Sequence, residues 1–397
     1  MQRREFLALA TAGAAMPRVA ARAEPRSASK RVPVIDITDL YHPPQDVGDN
    51  LDLIAAFALP EVDLKAVILD VTTRFRESVS GPPGDPYRDT TGPREPGFIP
   101  VWQLNALFGR NVPCAVGPYT AMCSPDDPMR DAPAFQQQGV ELMLKVLRES
   151  PEPVHIVSFG SARPLALAWN REPELLRKRV ARAHLCIGAA PAGYLEWNVM
   201  LDVAAFVRLL RSDLPIALYP CATDKGPFDL GRNNTYWKLP SLSWLRDLSP
   251  GLRRYAVFAL NRTVRMDWLR ALEHDPPAAV LDEACNRPHN VWETAVWAEV
   301  CGRSLVRRGD GTHRLVPTAD IAPKDTLVSG GLKPCQLTAG DDGQFTFNTC
   351  VQSSIMCIYE RDDPLGQQAA LRDALPVLYR SFSIGGLASG HASHSPG

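Results

Sequence analysis

Short apolar runs alternate with segments of helical periodicity along most of the chain. The apolar runs are rich in Val, Ile, Leu and Ala, as expected of strands that are buried on both faces; they lie at residues 32–37, 66–71, 154–158, 183–190 and 214–220. Segments 51–58 and 139–148, by contrast, repeat their apolar residues at helical spacing. The alternation predicts an α/β fold with a mostly parallel, doubly wound (Rossmann-like) sheet and long Pro-rich loops.

The two ends of the chain differ in character from the middle. Arg3 and Arg4 are followed by Phe-Leu, a mildly apolar Ala/Gly-rich segment and an Ala-x-Ala site ending at Ala23. This pattern is typical of a twin-arginine export signal and predicts a periplasmic or secreted protein, the alternative being a disordered basic tail. We therefore expect one α/β domain over residues 31–384, preceded by signal and linker (1–30) and followed by a disordered Gly/Ser/His-rich tail (385–397).

Composition narrows the possible partners. The 397 residues carry a formal net charge of -1 and a pI of about 6.7, which gives no electrostatic case for nucleic acid. Nine cysteines occur without a Cys-x-x-Cys spacing, so a zinc site is disfavoured while disulfides stay open. No apolar stretch after the N-terminus is long enough for a membrane span. A small-molecule ligand is the expected partner, and a homo-oligomer is allowed.

Carboxylates gather where the first strand passes into the first helix. Asp36 and Asp39 close the strand, and Asp46, Asp49 and Asp52 follow within about fifteen residues. In an open α/β sheet this carboxyl edge is where ligands bind, and neighbouring carboxylates repel unless protons or a cation neutralise them. The oxygen-rich pattern favours calcium, the alternative being that Asp49 or Asn50 caps the helix.

The segment from the Asp-rich strand end through Pro60-Glu61-Val62-Asp63-Leu64 resembles the N-terminal signature of the inosine-uridine-preferring nucleoside hydrolases. Segment 196–202 (Glu-Trp-Asn-x-x-x-Asp) is similar to that family's E-F-N-x-x-x-D motif. The resemblance covers most of residues 32–380 and is strongest at 34–69, 154–220 and 351–380. It implies calcium-dependent hydrolysis of the N-glycosidic bond of ribonucleosides or related ribosides.

The resemblance also implies roles for single residues. Asp39, Asp49, Glu293 and the Phe159 backbone carbonyl would ligate calcium, and Asp39 or Asp36 would accept the proton of the attacking water. Either of those two aspartates could be the first ligand, because residues 40–45 stretch the family's compact motif. Asp46 would replace the carboxylate missing at Gly48 and bind substrate.

The substrate side is implied in the same way. Glu196 and Asn198 would bond the ribose hydroxyls, with Glu293 also contacting the ribose; the alternative for this motif is a loop turn with a helix cap. Asp202 is expected to cap the helix over 203–211. Residues 288–296 are expected to open a further helix, in which Trp292 replaces the family's leaving-group histidine. His289 is then the candidate general acid.

Three other functions stay open from the sequence. A non-catalytic riboside-binding protein of the same fold would keep the sugar pocket without leaving-group assistance. A hydrolase of another glycoside or ribosyl conjugate fits the divergent segment 221–237. A phosphatase with Asp36 as nucleophile is disfavoured, because the D-x-D-x-T motif is missing.

Overall fold

The computed structural model describes residues 31–384 except 45, 46, 80, 85–87, 89, 91, 261–266 and 352–354. The predicted signal, tail and Asp46 therefore lie outside the described residues. The strands are β1 (Val32–Thr38), β2 (Val62–Leu69), β3 (Cys114–Val116), β4 (Val154–Ser158), β5 (Val180–Cys186), β6 (Ile216–Tyr219), β7 (Trp237–Leu239), β8 (His289–Val291), β9 (Arg303–Arg307), β10 (His313–Pro317), β11 (Thr326–Leu327), β12 (Gly331–Pro334), β13 (Gln336–Ala339), β14 (Phe345–Asn348) and β15 (Met356–Glu360).

Twelve α-helices accompany these strands within the described residues. They are α1 (Gly48–Ala58), α2 (Phe98–Phe108), α3 (Ala134–Glu149), α4 (Arg163–Arg171), α5 (Pro173–Arg179), α6 (Trp197–Leu201), α7 (Val203–Leu210), α8 (Pro250–Ala259), α9 (Arg270–Glu273), α10 (Ala278–Asn286), α11 (Thr294–Val300) and α12 (Pro364–Arg380). No helix among the described residues has the length and apolar character needed to cross a bilayer.

The central sheet confirms the predicted fold class. Its eight strands run in the order β12-β15-β6-β5-β4-β1-β2-β3, and every pairing is parallel except that of β12 with β15 at one edge. Alternate side chains of each strand enter two separate apolar clusters, one on each face of the sheet. Burial on both faces explains the nearly continuous apolar runs in the sequence. Neighbouring parallel strands also bring their carboxyl ends to one edge.

Two local expectations are wrong. Residues 288–296 do not open a helix: His289–Val291 forms β8, which pairs antiparallel with β7, and α11 begins only at Thr294. The helix α1 is not capped by Asp49 or Asn50, because both lie inside its first turn and Val47 occupies the cap position. Pairing with the distant strand β7 accounts for β8, and this signal is not visible in a local pattern.

A histidine pair, with His184 buried and His155 half-buried, links neighbouring strands of the central sheet. His155 Nδ1 lies 3.0 Å from His184 Nε2, and His184 Nδ1 lies 3.0 Å from the Tyr219 hydroxyl. Burial lowers the pKa of His184, the neighbouring His155 and Arg182 lower it further, and burial also lowers the pKa of His155. Both rings are therefore neutral in the folded protein at pH 7.

We expect this pair to destabilise the fold in acid. As the pH falls, a histidine whose pKa is depressed in the folded protein takes up its proton first in the unfolded chain. The fold is therefore unaffected by this histidine above pH ~6.5 and loses stability below it, by at most about 1.4 kcal/mol per pH unit and histidine. Urea unfolding at pH 7.5 and 5.0 should show a steeper loss in wild type than in H155Q/H184Q. An equal loss of unfolding free energy in the two proteins would contradict this role of the histidine pair. Buried carboxyl groups have the opposite pH dependence, but they are the same in both proteins, so their effect cancels in the comparison.

Candidate active site

Four strand ends meet at the carboxyl edge of the sheet. Strands β2, β1, β4 and β5 are consecutive neighbours, so the residues that follow them lie side by side. Asp39 follows β1, Asp70 follows β2, and the turn of Phe159, Gly160 and Ser161 follows β4. The structure thus places the acid-rich segment of the sequence where ligands bind in sheets of this kind.

Asp36, Asp52 and Glu293 form a buried carboxyl cluster between β1, α1 and the residue preceding α11. All three side chains are at most 5% exposed. Asp52 Oδ1 accepts a hydrogen bond from the Trp297 indole, while neither Asp36 oxygen receives a donor among the described residues. Asp36 and Asp52 can bond each other only if one of them is protonated. The cluster therefore requires a proton or a cation.

Burial dominates the electrostatics of this cluster. It raises the pKa of Asp36 to about 8, and hydrogen bonding with Asp52 opposes the shift. It also raises the pKa of Asp52 well above the usual value, with further contributions from Asp36 and Glu293. A cavity of about 30 Å³ borders Asp52 and Glu293, and a water molecule needs roughly 10–15 Å³ of such space. The cavity is lined mostly by apolar side chains, so it has room for a water molecule and is too small for a sugar.

Gly48 makes room for Glu293. A Cβ added at Gly48 would lie 2.5 Å from Glu293 Oε2, a separation that real structures do not tolerate. Glu293 Oε2 also accepts the Trp292 backbone N–H at 3.0 Å. A larger residue at position 48 would force the Glu293 carboxylate to move, so Gly48 leaves room for that carboxylate in its present place.

Asp39 and Asp70 flank the turn after β4. A Cβ at Gly160 would lie 2.7 Å from Asp70 Oδ2 and 3.3 Å from the Asp39 Cβ, so the glycine allows both side chains to approach. The Ser161 backbone N–H donates to Asp70 Oδ2 at 2.7 Å. Burial raises the pKa of Asp70, and the charge of Arg163 opposes that increase.

Arg163 ties several loops of the site together. Its side chain is 1% exposed and pairs with Asp202 at 2.8 Å through Nε. Nη1 donates to the carbonyls of Val71 and Pro118 at 3.0 and 2.7 Å, and Nη2 donates to the Leu201 carbonyl at 3.2 Å. The sequence alone gave no role for this guanidinium. In the structure it fixes the exits of β2 and β3 against the end of α6.

Glu196 and Asn198 lie close together, and the partners seen for both side chains are backbone groups. Glu196 caps α6, accepting the N–H groups of Gly188 at 2.8 Å and of Asn198 at 3.0 Å. Asn198 Nδ2 donates to the carbonyls of Cys186 at 3.1 Å and Phe159 at 3.3 Å. The Phe159 carbonyl, a predicted calcium ligand, is therefore beside a predicted ribose ligand.

The protonation state of Glu196 bears on its predicted role. Burial raises its pKa to about 7, and the backbone N–H groups of Asn198 and Gly188 limit that rise. Neutral and ionised forms therefore coexist near pH 7, so the side chain can either accept or donate a hydrogen bond to a hydroxyl. Asp202 caps α7 by accepting the Ala205 N–H at 3.0 Å, which confirms that expectation.

Trp292 belongs to an aromatic cluster on the other side of Glu293. Its ring centre lies 5.4 Å from that of Tyr236 and 6.1 Å from that of Phe228, and its indole N–H donates to the Cys221 carbonyl at 2.8 Å. His289 lies in β8 opposite Leu239. Its role as general acid stays a prediction.

The roles predicted for Asp36, Asp39, Asp49, Phe159 and Glu293 likewise stay predictions. Within the described residues, which leave out Asp46, no group of three or more His, Cys, Asp and Glu side chains is arranged to hold a metal. The donors that face one another are nevertheless all oxygens, and Asp36 has two that are buried without a donor. That chemistry fits a hard cation better than a soft one.

Three residues of the site, Asp52, Asp70 and Arg163, were not predicted as site residues from the sequence. Asp52 was visible among the clustered carboxylates, and its position inside α1, facing Asp36, was the missing information. Asp70 stands directly after an apolar strand, which was a usable signal. The sequence around Arg163 gave no signal of a site, because a lone arginine after a strand is ordinarily exposed.

Part of the chain is similar in sequence to known ribonucleoside hydrolases. No sequence-family model matches the chain. The chain is 31% identical over 191 residues to the pyrimidine-specific ribonucleoside hydrolase RihA of Citrobacter koseri, a match covering 43% of this chain and 55% of the relative. It is 30% identical over 187 residues to the RihA of Escherichia coli O127:H6, with the same coverage. The chain thus spans about half the length of the curated relatives that it matches.

Solved structures of similar fold are more distant. A plant nucleoside hydrolase aligns over 86% of this chain and 98% of its own, at 14% identity and a TM-score of 0.46. A purine-preferring ribonucleoside hydrolase from Gardnerella vaginalis aligns over 87% and 99%, at 12% identity and the same score.

Proposed function

We propose that the chain is a divergent member of the nucleoside hydrolase family and that it hydrolyses the N-glycosidic bond of ribonucleosides. The observation that carries the proposal is the meeting of buried carboxyls at the carboxyl edge of the sheet, with Glu196 and Asn198 beside them. The products would be ribose and a free base. Uridine is the first substrate to test, since the curated relatives are described as pyrimidine-specific.

The residues of the chain supply most of what this reaction needs. The bond breaks through an oxocarbenium-like state of the ribose, which nearby carboxylates stabilise. Asp39 or Asp36 would accept the proton of the water that attacks the anomeric carbon. Glu196 and Asn198 would orient the ribose hydroxyls, with Glu293 beside them.

Calcium is part of the proposal. Asp39, Asp49, Glu293 and the Phe159 carbonyl would hold the ion, and Asp46 would add to the substrate side. When bound, calcium would orient a water and lower its pKa. The support is the set of buried oxygens at Asp36 and Asp52, which need either a proton or a cation as a partner.

The test of the function is release of base from uridine, followed by chromatography of uracil and ribose. Wild type should release both in equal amounts, and Asn198→Ala should reduce the rate by at least tenfold. The surface variant Asp341→Ala, whose side chain is 91% exposed, serves as the control and should keep the wild-type rate. Wild type that binds uridine without releasing uracil would instead support a riboside-binding protein.

Calcium should raise the melting temperature of the wild-type protein relative to a chelator. A ligand that binds only the folded state stabilises it by about 2.7 kcal/mol at a concentration one hundred times its Kd. Asp49→Ala should lose this increase, whereas Asp341→Ala should retain it. Identical melting curves of wild type with calcium and with chelator would rule out the proposed site.

Export through the twin-arginine route is the proposed origin of a periplasmic or secreted protein. The support is the Arg3-Arg4 pair with its apolar segment and Ala-x-Ala site. Changing both arginines to lysine should leave the precursor in the cytoplasm on fractionation. Normal export of that double variant would refute the route.

A further inference from the structure

Phe228 and Tyr236, at the two ends of segment 228–236, form an aromatic wall together with Trp292, the residue before Glu293. Their ring centres lie 5.4 to 6.1 Å apart, and the Phe228 side chain is 62% exposed. The Tyr236 hydroxyl donates to Asn290 Oδ1 at 3.0 Å, which joins the wall to β8. Tyr236 is buried, so a planar heterocycle would stack on the exposed Phe228 ring and the half-buried Trp292 ring through its π face.

Arg361, which follows β15, binds the segment that carries the aromatic wall. Its side chain is 1% exposed. Nε donates to the Gly231 carbonyl at 2.9 Å, and Nη2 donates to the Tyr236 carbonyl and to Asn234 Oδ1, both at 2.8 Å. The guanidinium thus fixes both ends of the short segment that leads to Tyr236.

Further contacts make this attachment specific to arginine. Nη1 donates to Gln367 Oε1 at 3.1 Å, so all three nitrogens of the guanidinium are engaged by neutral oxygens. Asn234, which Arg361 holds, in turn accepts the Gly231 N–H at 2.9 Å. The planar guanidinium of arginine has donors in fixed directions and can bond all four of these oxygens at once, whereas the single ammonium group of lysine cannot.

Arg361 differs from Arg163 in the part of the site it supports. Arg163 joins the exits of β2 and β3 to α6, on the side of Asp70 and Asn198. Arg361 joins β15 to the segment that carries the aromatic wall. The two buried arginines therefore serve as matched probes of two sides of one site.

We propose that Arg361 is a positioning residue that sets specificity for the leaving base, by holding the aromatic wall at a fixed place beside Glu293. The inference rests on the proposed nucleoside hydrolysis. It assigns the ligand of the wall as the planar base of the nucleoside. The ribose is held elsewhere, so loss of Arg361 should change discrimination between bases more than turnover in general.

The experiment compares wild type, Arg361→Lys and Arg163→Lys on uridine, cytidine, inosine and adenosine. Wild type should show a spread in kcat/KM among the four. In Arg361→Lys that spread should shrink at least tenfold, mainly through KM, because the wall is no longer fixed. In Arg163→Lys all four values should fall by a similar factor, which leaves the spread unchanged.

Two further variants separate positioning from folding. Arg361→Ala should regain the wild-type spread when guanidinium is added and should not respond to methylammonium. Phe228→Ala removes an exposed ring of the wall without disturbing the buried segment, and it should reduce the spread even if the arginine variants fail to fold.

The outcomes distinguish the inference from the function it rests on. Turnover by wild type with no discrimination among the four bases, or an equal fall for all four in both arginine variants, would overturn the inference alone. An unchanged spread in Phe228→Ala would also overturn it. Absence of turnover by wild type on every nucleoside would overturn the proposed function, and the inference with it.

Discussion

Replacing Arg163 by methionine should remove most of the stability of the fold. The change leaves Asp202 buried without its ionic partner and leaves the carbonyls of Val71, Pro118 and Leu201 without donors. Breaking one side of a buried ion pair costs about 3–5 kcal/mol, since the remaining charge is uncompensated. Stability of a domain is only roughly 5–15 kcal/mol in total, so the variant should be close to unfolding.

The matched control is Arg177→Met. Arg177 pairs with Asp213 and Glu174 at the surface, where both acidic partners are more than half exposed. Solvent screens such pairs, so its denaturation midpoint should not change. Chemical denaturation of the two variants beside wild type measures the contrast. Equal midpoints for Arg163→Met and wild type would show that the buried contacts do not hold the site together.

Trp292 should make turnover depend on the leaving group. The resemblance to nucleoside hydrolases implies a leaving-group histidine at this position, and an indole cannot donate a proton to the departing base. General-acid assistance contributes about a hundredfold to ten-thousandfold. We therefore expect p-nitrophenyl riboside, whose leaving group needs no proton, to have a kcat/KM at least a hundredfold above that of inosine.

The ribose contacts provide the control for this comparison. Asn198→Ala should impair both substrates by similar factors, because both present the same ribose. His289→Ala should leave the inosine rate unchanged if no acid acts. Comparable rates on the two substrates, combined with a specific loss of inosine turnover in His289→Ala, would assign the acid role to His289.

Local patterns in the sequence were sufficient for the approximate positions of five of the eight strands of the central sheet. The run at 154–158 matches β4 at both ends, because a strand buried on both faces is apolar throughout. The expected capping by Asp202 is also seen, since a side-chain oxygen before a helix acts within three residues. The position of the acid-rich loop at the carboxyl edge followed from the parallel order of strands.

Contacts between distant segments account for what the sequence did not reveal. Strand β8 exists because residues 289–291 pair with residues 237–239, about fifty positions away. Asp36 and Asp52 meet only once α1 lies on the sheet, and the role of Gly48 becomes clear only with Glu293 beside it. The buried arginines make the same point, since the partners of Arg163 come from three separate segments and those of Arg361 from two.

The most direct test of the central claim is hydrolysis of uridine in water enriched in oxygen-18, with mass spectrometry of both products. Attack of water on the anomeric carbon places the label in the ribose, at the C1 hydroxyl. A short reaction time limits label that enters later by exchange at C1, and unlabelled ribose incubated alongside measures that exchange. We predict label in ribose well above this background and none in uracil. Label in uracil, or no product from the calcium-loaded wild-type protein, would contradict the account.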